Sequence, residues 1–171
     1  MPSRVIELVV NDEPREFLAP PGTTLLSALR ETLGLTAAKR GCAQGTCGTC
    51  TVLLDGDPVM SCLVPVETID GAAVQTLEGV GGERSGGEAS GRDRGELDAI
   101  QAAFLEGFAT QCGFCTSGMI MAAEGLLAEN PDPSREDAVR AISGNVCRCT
   151  GYESIINAIL DAAARRAAVV H

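Results

Sequence analysis

Eight cysteines divide into two quartets, Cys42-x4-Cys47-x2-Cys50-x11-Cys62 and Cys112-x2-Cys115-x31-Cys147-x1-Cys149, and none is left over. Thiolate is a soft ligand, suited to iron–sulfur clusters and to zinc, and four thiolates make one centre. The first quartet has the spacing that wraps a [2Fe–2S] cluster, with three ligands from one tight loop and the fourth from a distant segment. Two such centres in 171 residues point to a conduit for electrons.

The first loop runs Arg40-Gly41-Cys42-Ala43-Gln44-Gly45-Thr46-Cys47-Gly48-Thr49-Cys50. A loop that wraps a cluster must turn sharply and aim backbone N–H groups at sulfur, which the interleaved glycines permit. Structural zinc is the rival, but zinc sites favour two short Cys pairs over a three-plus-one loop. In the second quartet Cys112-Gly113-Phe114-Cys115 faces Cys147-Arg148-Cys149, two pairs whose spacing suits zinc as well as a second cluster.

Disulfides are the other use of paired cysteines, and they belong to oxidising compartments. The N-terminus has no apolar run of signal-peptide type, and no stretch of 18 or more apolar residues marks a membrane span. A cytoplasmic chain with reduced thiols is expected. The formal net charge of −10 argues against a nucleic-acid partner. Lys39 is the one lysine and His171 the one histidine, which excludes a Rieske centre and argues against a Ser-His-Asp apparatus.

The elements that must position these ligands differ between the halves. Val5 to Val10 reads as a strand, Asn11-Asp12-Glu13-Pro14 as a turn and Arg15 to Ala19 as the returning strand. Thr23 or Thr24 caps a helix with Leu25, Leu26, Leu29 and Leu33 on one face and Gly34 as its stop. After the cysteine loop, Thr51 to Leu54 and Pro58 to Val64 form a hairpin around Asp55-Gly56-Asp57, and Val74 to Leu77 closes a small mixed sheet. Residues 78–95 hold seven glycines and no apolar periodicity, the composition of a linker. Helices follow. Leu97, Ile100, Ala103, Phe104 and Phe108 mark one, and Met119 to Leu127 a second that stops at Asn130-Pro131. Ser134 with Asp137 caps a third through Ile142, and Tyr152 to Arg166 is the fourth. Both cysteine pairs then lie at helix starts, at one end of a compact bundle. Phe104, Phe108 and Phe114 read as core, and Arg148 as an offset to cluster charge.

Three stretches resemble the iron–sulfur subunit of the xanthine oxidase family of molybdenum hydroxylases. They are Gly41-Cys42-x2-Gly45-x-Cys47-Gly48-x-Cys50-Thr51-Val52, Gln111-Cys112-Gly113-Phe114-Cys115-Thr116 and Cys147-Arg148-Cys149-Thr150-Gly151-Tyr152. The resemblance covers nearly the whole chain. It implies an α+β chain: a plant-ferredoxin-like β-grasp domain over 1–77, the linker over 78–95 and a four-helix bundle domain over 96–171. Cys42, Cys47, Cys50 and Cys62 would hold one [2Fe–2S] cluster, and Cys112, Cys115, Cys147 and Cys149 the other. It implies a molybdopterin-binding large subunit, against whose pterin Gln111 and Cys149 lie, and an FAD-binding medium subunit. Electrons would run from molybdenum through the helical-domain cluster, then the first cluster, to FAD or another acceptor, with no substrate turned over by this chain alone. The sequence departs from the pattern at Thr49, where alanine is common, at Ser117, where proline often begins the helix, and in lacking the usual His-Pro before the first helix. Rival readings are a free-standing two-cluster ferredoxin and a double zinc-binding interaction module.

Overall fold

The computed structural model of the chain describes residues 2–81 and 97–169. Strands β1 (Arg4–Val10) and β2 (Glu13–Ala19) pair through Asn11-Asp12, both left-handed at φ 52 and 67. Two left-handed residues match the twist of paired strands, and Asn and Asp tolerate that conformation. The turn is therefore shorter than the four residues expected. Pro14 falls inside β2, where the missing N–H is harmless because β2 is a sheet edge.

Ile6, Leu8 and Val10 alternate with exposed Val5 and Val9 along β1, so one face is buried. Thr24 caps α1 (Leu25–Ser27) by accepting from the Ser27 amide at 3.2 Å, and the coil then widens into a π turn, Ala28–Thr32. Leu25, Leu26, Ala28 and Leu29 are wholly buried in the same core as the β1 face.

β3 (Thr51–Leu54) and β4 (Asp57–Met60) join through Asp55-Gly56. The strand expected to reach Val64 stops at Met60. Ser61–Leu63 forms a 3-10 turn instead, because the buried Ser61 hydroxyl donates to the Cys50 carbonyl at 2.7 Å and pulls the chain off the ladder. β5 (Ala73–Gln75) also ends before the expected Leu77, since the Thr76 amide turns to Asn11 Oδ1 at 2.8 Å. The sheet order is β2-β1-β5-β3-β4, with β1 and β5 parallel and the other neighbours antiparallel.

The second half is helical: α2 (Ala99–Glu106), α3 (Thr116–Glu129), α4 (Arg135–Ala141) and α5 (Glu153–Val169). Capping boxes at Asp98 with Gln101 and at Ser134 with Asp137 open α2 and α4. α2 packs along α5, and α4 touches both α3 and α5. Ile100, Phe104, Met119, Ile155 and Ile159 fill the space between them. Arg166 near the end of α5 reaches Asp98 at 2.7 Å and the buried Glu124 of α3 at 2.5 Å, tying three helices together. Two of the three phenylalanines expected in the core are not there: Phe108 is 82% exposed and Phe114 47% exposed. α2 stops at Gly107, which leaves Phe108 beyond the helix with a left-handed backbone. No helix among the described residues is long and apolar enough to cross a membrane.

The two halves share β3. Val52 points into the sheet core while Leu53, on the other face, belongs to the helical core. α3 lies against β3, and two glycines seven residues apart let it approach. A Cβ on Gly118 would stand 2.2 Å from the Gly48 carbonyl oxygen, and one on Gly125 would stand 2.9 Å from Pro58 Cδ. Of the glycine-rich stretch expected at 78–95, residues 82–95 lie outside the described residues. Val80 just before them is buried in the helical core, and the Glu78 carboxylate accepts from the Ala37 amide at 2.8 Å.

Candidate metal centres

The first cysteine loop turns on three left-handed residues, Ala43, Gly45 and Gly48, at φ 56, 75 and 68. Its winding aims the Gln44 and Thr46 amides at Cys42 Sγ, at 3.5 and 3.3 Å. Gly41 is required for a different reason. A Cβ there would fall 2.8 Å from Cys47 Sγ and 2.7 Å from Thr49 Oγ1, so the loop closes over space that only glycine leaves. Cys62 arrives on the 3-10 turn that Ser61 fastens to Cys50.

The second set is held by hydroxyls. Cys112 and Cys115 flank Gly113 at φ 80, and a bond of 2.8 Å between Thr110 Oγ1 and Thr116 Oγ1 brackets their loop at the start of α3. Cys147 and Cys149 precede α5. The Cys147 amide donates to the Tyr152 hydroxyl at 2.9 Å, and Thr150 Oγ1 sits 3.2 Å from Cys147 Sγ while accepting from the Tyr152 amide. Sequence reasoning had Tyr152 only as a helix start and a motif position.

Within each quartet the sulfurs are close enough to act on one another: Cys112 and Cys149 lie 3.6 Å apart, Cys42 interacts with Cys47, Cys50 with Cys62, and Cys115 with both Cys147 and Cys112. Four thiolates from one quartet are the ligand set of a [2Fe–2S] cluster. Among the described residues no three such donors converge on a position for one ion. Ser117, two residues past Cys115, is buried with no hydrogen-bond partner for its hydroxyl among the described residues, which leaves a donor free for a group outside the polypeptide. The residues present fit two clusters.

The protein biases its thiols unequally. The Thr46 hydroxyl, with the Gln44 and Thr46 amides, holds the Cys42 thiol down to about 6. Burial raises Cys50 to about 11 and Cys115 to about 12, with the neighbouring Cys62 and Cys147 sulfurs adding to the rise. At Cys147 burial pushes upward but is outweighed by bonds from Thr150 and Cys149, so the net shift is down. Hydrogen bonding to Cys112 leads a rise at Cys149. Thiolate is the reactive form. In metal-free protein at pH 7, Cys42 is therefore expected to be alkylated before Cys50 and Cys115, and to lose that lead below pH 6 as its thiolate is protonated. Peptide mass spectrometry after a timed iodoacetamide pulse reads the order, and equal labelling of Cys42 and Cys115 would contradict it.

The two loops touch directly. The Val146 amide donates to the Cys47 carbonyl at 2.9 Å, joining a first-loop cysteine to the residue beside Cys147. Asn145 is buried, and its Nδ2 donates to the Gly48 carbonyl at 2.8 Å and to Thr51 Oγ1 at 3.2 Å. Phe114 lies over the first loop, its ring edge 3.5 Å from where a Gly41 Cβ would be. Nothing in the sequence separates Asn145 from an ordinary Gly-Asn turn. Away from this junction Gln111, Cys112, Arg148 and Cys149 are all exposed, while Cys50, Cys62 and Cys147 are buried.

Two family models match the chain. Residues 8–76 match the 2Fe-2S iron-sulfur cluster binding domain and residues 76–160 the [2Fe-2S] binding domain. The nicotinate dehydrogenase small FeS subunit of Eubacterium barkeri is 44% identical over 160 residues, 94% of this chain and 95% of that protein. The xanthine dehydrogenase iron-sulfur-binding subunit of Escherichia coli O157:H7 is 42% identical over 91% of this chain and 92% of its own. A chain in the crystal structure of quinoline 2-oxidoreductase from Pseudomonas putida 86 superposes with a TM-score of 0.86 at 45% identity, covering 99% of this chain and 98% of that one.

Proposed function

From the premise that this chain belongs to the iron–sulfur subunits of the xanthine oxidase family of molybdenum hydroxylases, oxidoreductase components with two [2Fe–2S]-binding domains, we propose that it is the electron conduit of such a complex. When bound, the clusters supply one-electron levels between a molybdopterin site on a large partner subunit and FAD, or another acceptor, on a medium one. Cys42, Cys47, Cys50 and Cys62 hold the first cluster, and Cys112, Cys115, Cys147 and Cys149 the second. The units are a β-grasp domain over 1–77, a linker over 78–95 and a four-helix bundle over 96–171, in a cytoplasmic complex.

The observation that carries this reading is the junction. The Cys47 carbonyl of one quartet accepts a hydrogen bond from the amide of Val146, the neighbour of Cys147 in the other. Asn145, itself buried, fixes that contact from the side through the Gly48 carbonyl. Gln111, Cys112 and Cys149 form the exposed side, and there Gln111 and Cys149 meet the pterin. Relatives named as small subunits of a nicotinate dehydrogenase and of a xanthine dehydrogenase support a reading in which substrate choice lies with the partner and this chain turns over no substrate alone.

The test is metal content and magnetic resonance on the complex purified through this chain. About four irons and four labile sulfides per chain are expected, with two distinguishable reduced-state signals because the two sites differ in hydrogen bonding. Stoichiometric zinc, or a single [4Fe–4S] spectrum, would end the reading.

A further inference from the structure

Thr49 lies inside the first loop with its side chain against the sulfur of Cys47. Its hydroxyl lies 3.3 Å from Cys47 Sγ and donates to the Lys39 carbonyl at 3.0 Å, in a residue only 4% exposed. The Lys39 amide returns a bond to the Thr49 carbonyl at 3.0 Å, which fixes the backbone beneath the hydroxyl. Gly41 closes the other side, where an added Cβ would strike both Oγ1 and Sγ.

A hydroxyl has one proton, and here two acceptors compete for it. The Lys39 carbonyl is neutral. A cluster-bound Cys47 sulfur carries negative charge that grows on reduction, and hydrogen bonds to charged acceptors are roughly twice as strong as neutral ones. Buried dipoles also act in a low local dielectric. Thr46, the other threonine acting on this loop's sulfurs, is exposed, so water screens it.

We propose that the Thr49 hydroxyl sets the reduction potential of the first cluster. Its proton swings from the Lys39 carbonyl toward Cys47 Sγ when one electron arrives from the second cluster, and it stays bonded to Oγ1 throughout, so no proton is transferred. The swing favours the reduced form and draws electrons away from the exposed second site. The inference rests on the conduit reading and extends it to a residue outside the ligand set.

Potentiometric titration of the purified holo-complex, followed by EPR, tests it with the second cluster as internal reference. In Thr49→Val, which keeps the shape and removes the donor, the reduced-to-oxidised ratio of the first cluster at fixed potential is expected to fall about tenfold, or about 59 mV for one electron, with the second unmoved. Thr49→Ser is expected to restore most of that ratio. Thr49→Ala, which only removes atoms, is expected to repeat the valine result should valine assemble poorly. Pulsed ENDOR on the reduced wild-type complex in H2O and D2O is expected to show an exchangeable proton coupled to the first cluster that valine lacks. A first-cluster potential unmoved by both Thr49→Val and Thr49→Ala, equal shifts in both clusters, or a coupled proton that survives the valine change would each overturn the inference alone. Absence of any [2Fe–2S] signal from the first quartet in wild type would overturn the conduit reading beneath it.

Discussion

Gly118→Ala is expected to lower the thermal midpoint of the holo-protein by roughly 6–12 °C. The added methyl would sit 2.2 Å from the Gly48 carbonyl oxygen, with the Asn145 amide nitrogen at 3.1 Å. Both neighbours are fixed, because Gly48 is left-handed between Cys47 and Thr49 and its carbonyl already accepts from Asn145 and Thr51. Relief therefore requires α3 to move off the loop as a body. Overpacking in a closed site costs about 1–3 kcal/mol, and backbone against backbone belongs at about 3. In a chain of this size each kcal/mol moves the midpoint by about 2–4 °C. Gly125→Ala is the built-in comparison: its methyl meets the Pro58 ring at 2.9–3.0 Å, and β4 is an edge strand with room to shift. A smaller drop is expected there. Scanning calorimetry of both variants decides the matter, and a Gly118→Ala midpoint within 2 °C of wild type would show that α3 is not seated on the first loop as described.

The same contact explains what the sequence disclosed and what it withheld. Cysteine spacing is a covalent property of the chain, so the division into quartets needed no fold to be read, and Cys112 and Cys149, 37 residues apart, bring their sulfurs to 3.6 Å. Hairpin turns and capping boxes are equally local: the turns expected at Asn11-Asp12-Glu13-Pro14 and Asp55-Gly56-Asp57 are present, each tightened to its first two residues, and Ser134 with Asp137 caps as expected. The misplaced strand end after Met60 is different. Residues 58–64 form an apolar run that reads as a strand, and Ser61 reaching the Cys50 carbonyl, eleven residues away, bends them into the turn that delivers Cys62. Phe108 misled for a related reason, since an aromatic at helical spacing reads as core until the helix proves to end at Gly107, and Phe114, in the turn before α3, lies over the first loop instead of in the core. Asn145, Gly118 and the Thr49 hydroxyl were illegible as site residues because each acts across the seam between the halves or across a closed loop. No local pattern reports such a contact.

Cys47→Ser and Gln111→Ala are expected to fail at opposite ends of the conduit, and the pair tests its direction. Removing even an outer-shell partner of a metal site costs about 10–100-fold in affinity or activity, so exchanging a ligand thiolate for a hydroxyl should reach at least the upper end at the first quartet. The Cys47 carbonyl is backbone, so its bond from Val146 persists and the junction stays closed. Substrate should still reduce the second cluster in Cys47→Ser, while delivery to the flavin or external acceptor falls by about 100-fold or more. Gln111 is exposed and is not a thiol, so its replacement by alanine should leave both clusters assembled and slow their reduction by substrate instead. Rapid-mixing absorbance with freeze-quenched EPR separates the two phases. Blocked reduction of the second cluster in Cys47→Ser, together with unchanged kinetics in Gln111→Ala, would reverse the assigned order, because electrons would then be entering at the first loop and leaving past Cys149.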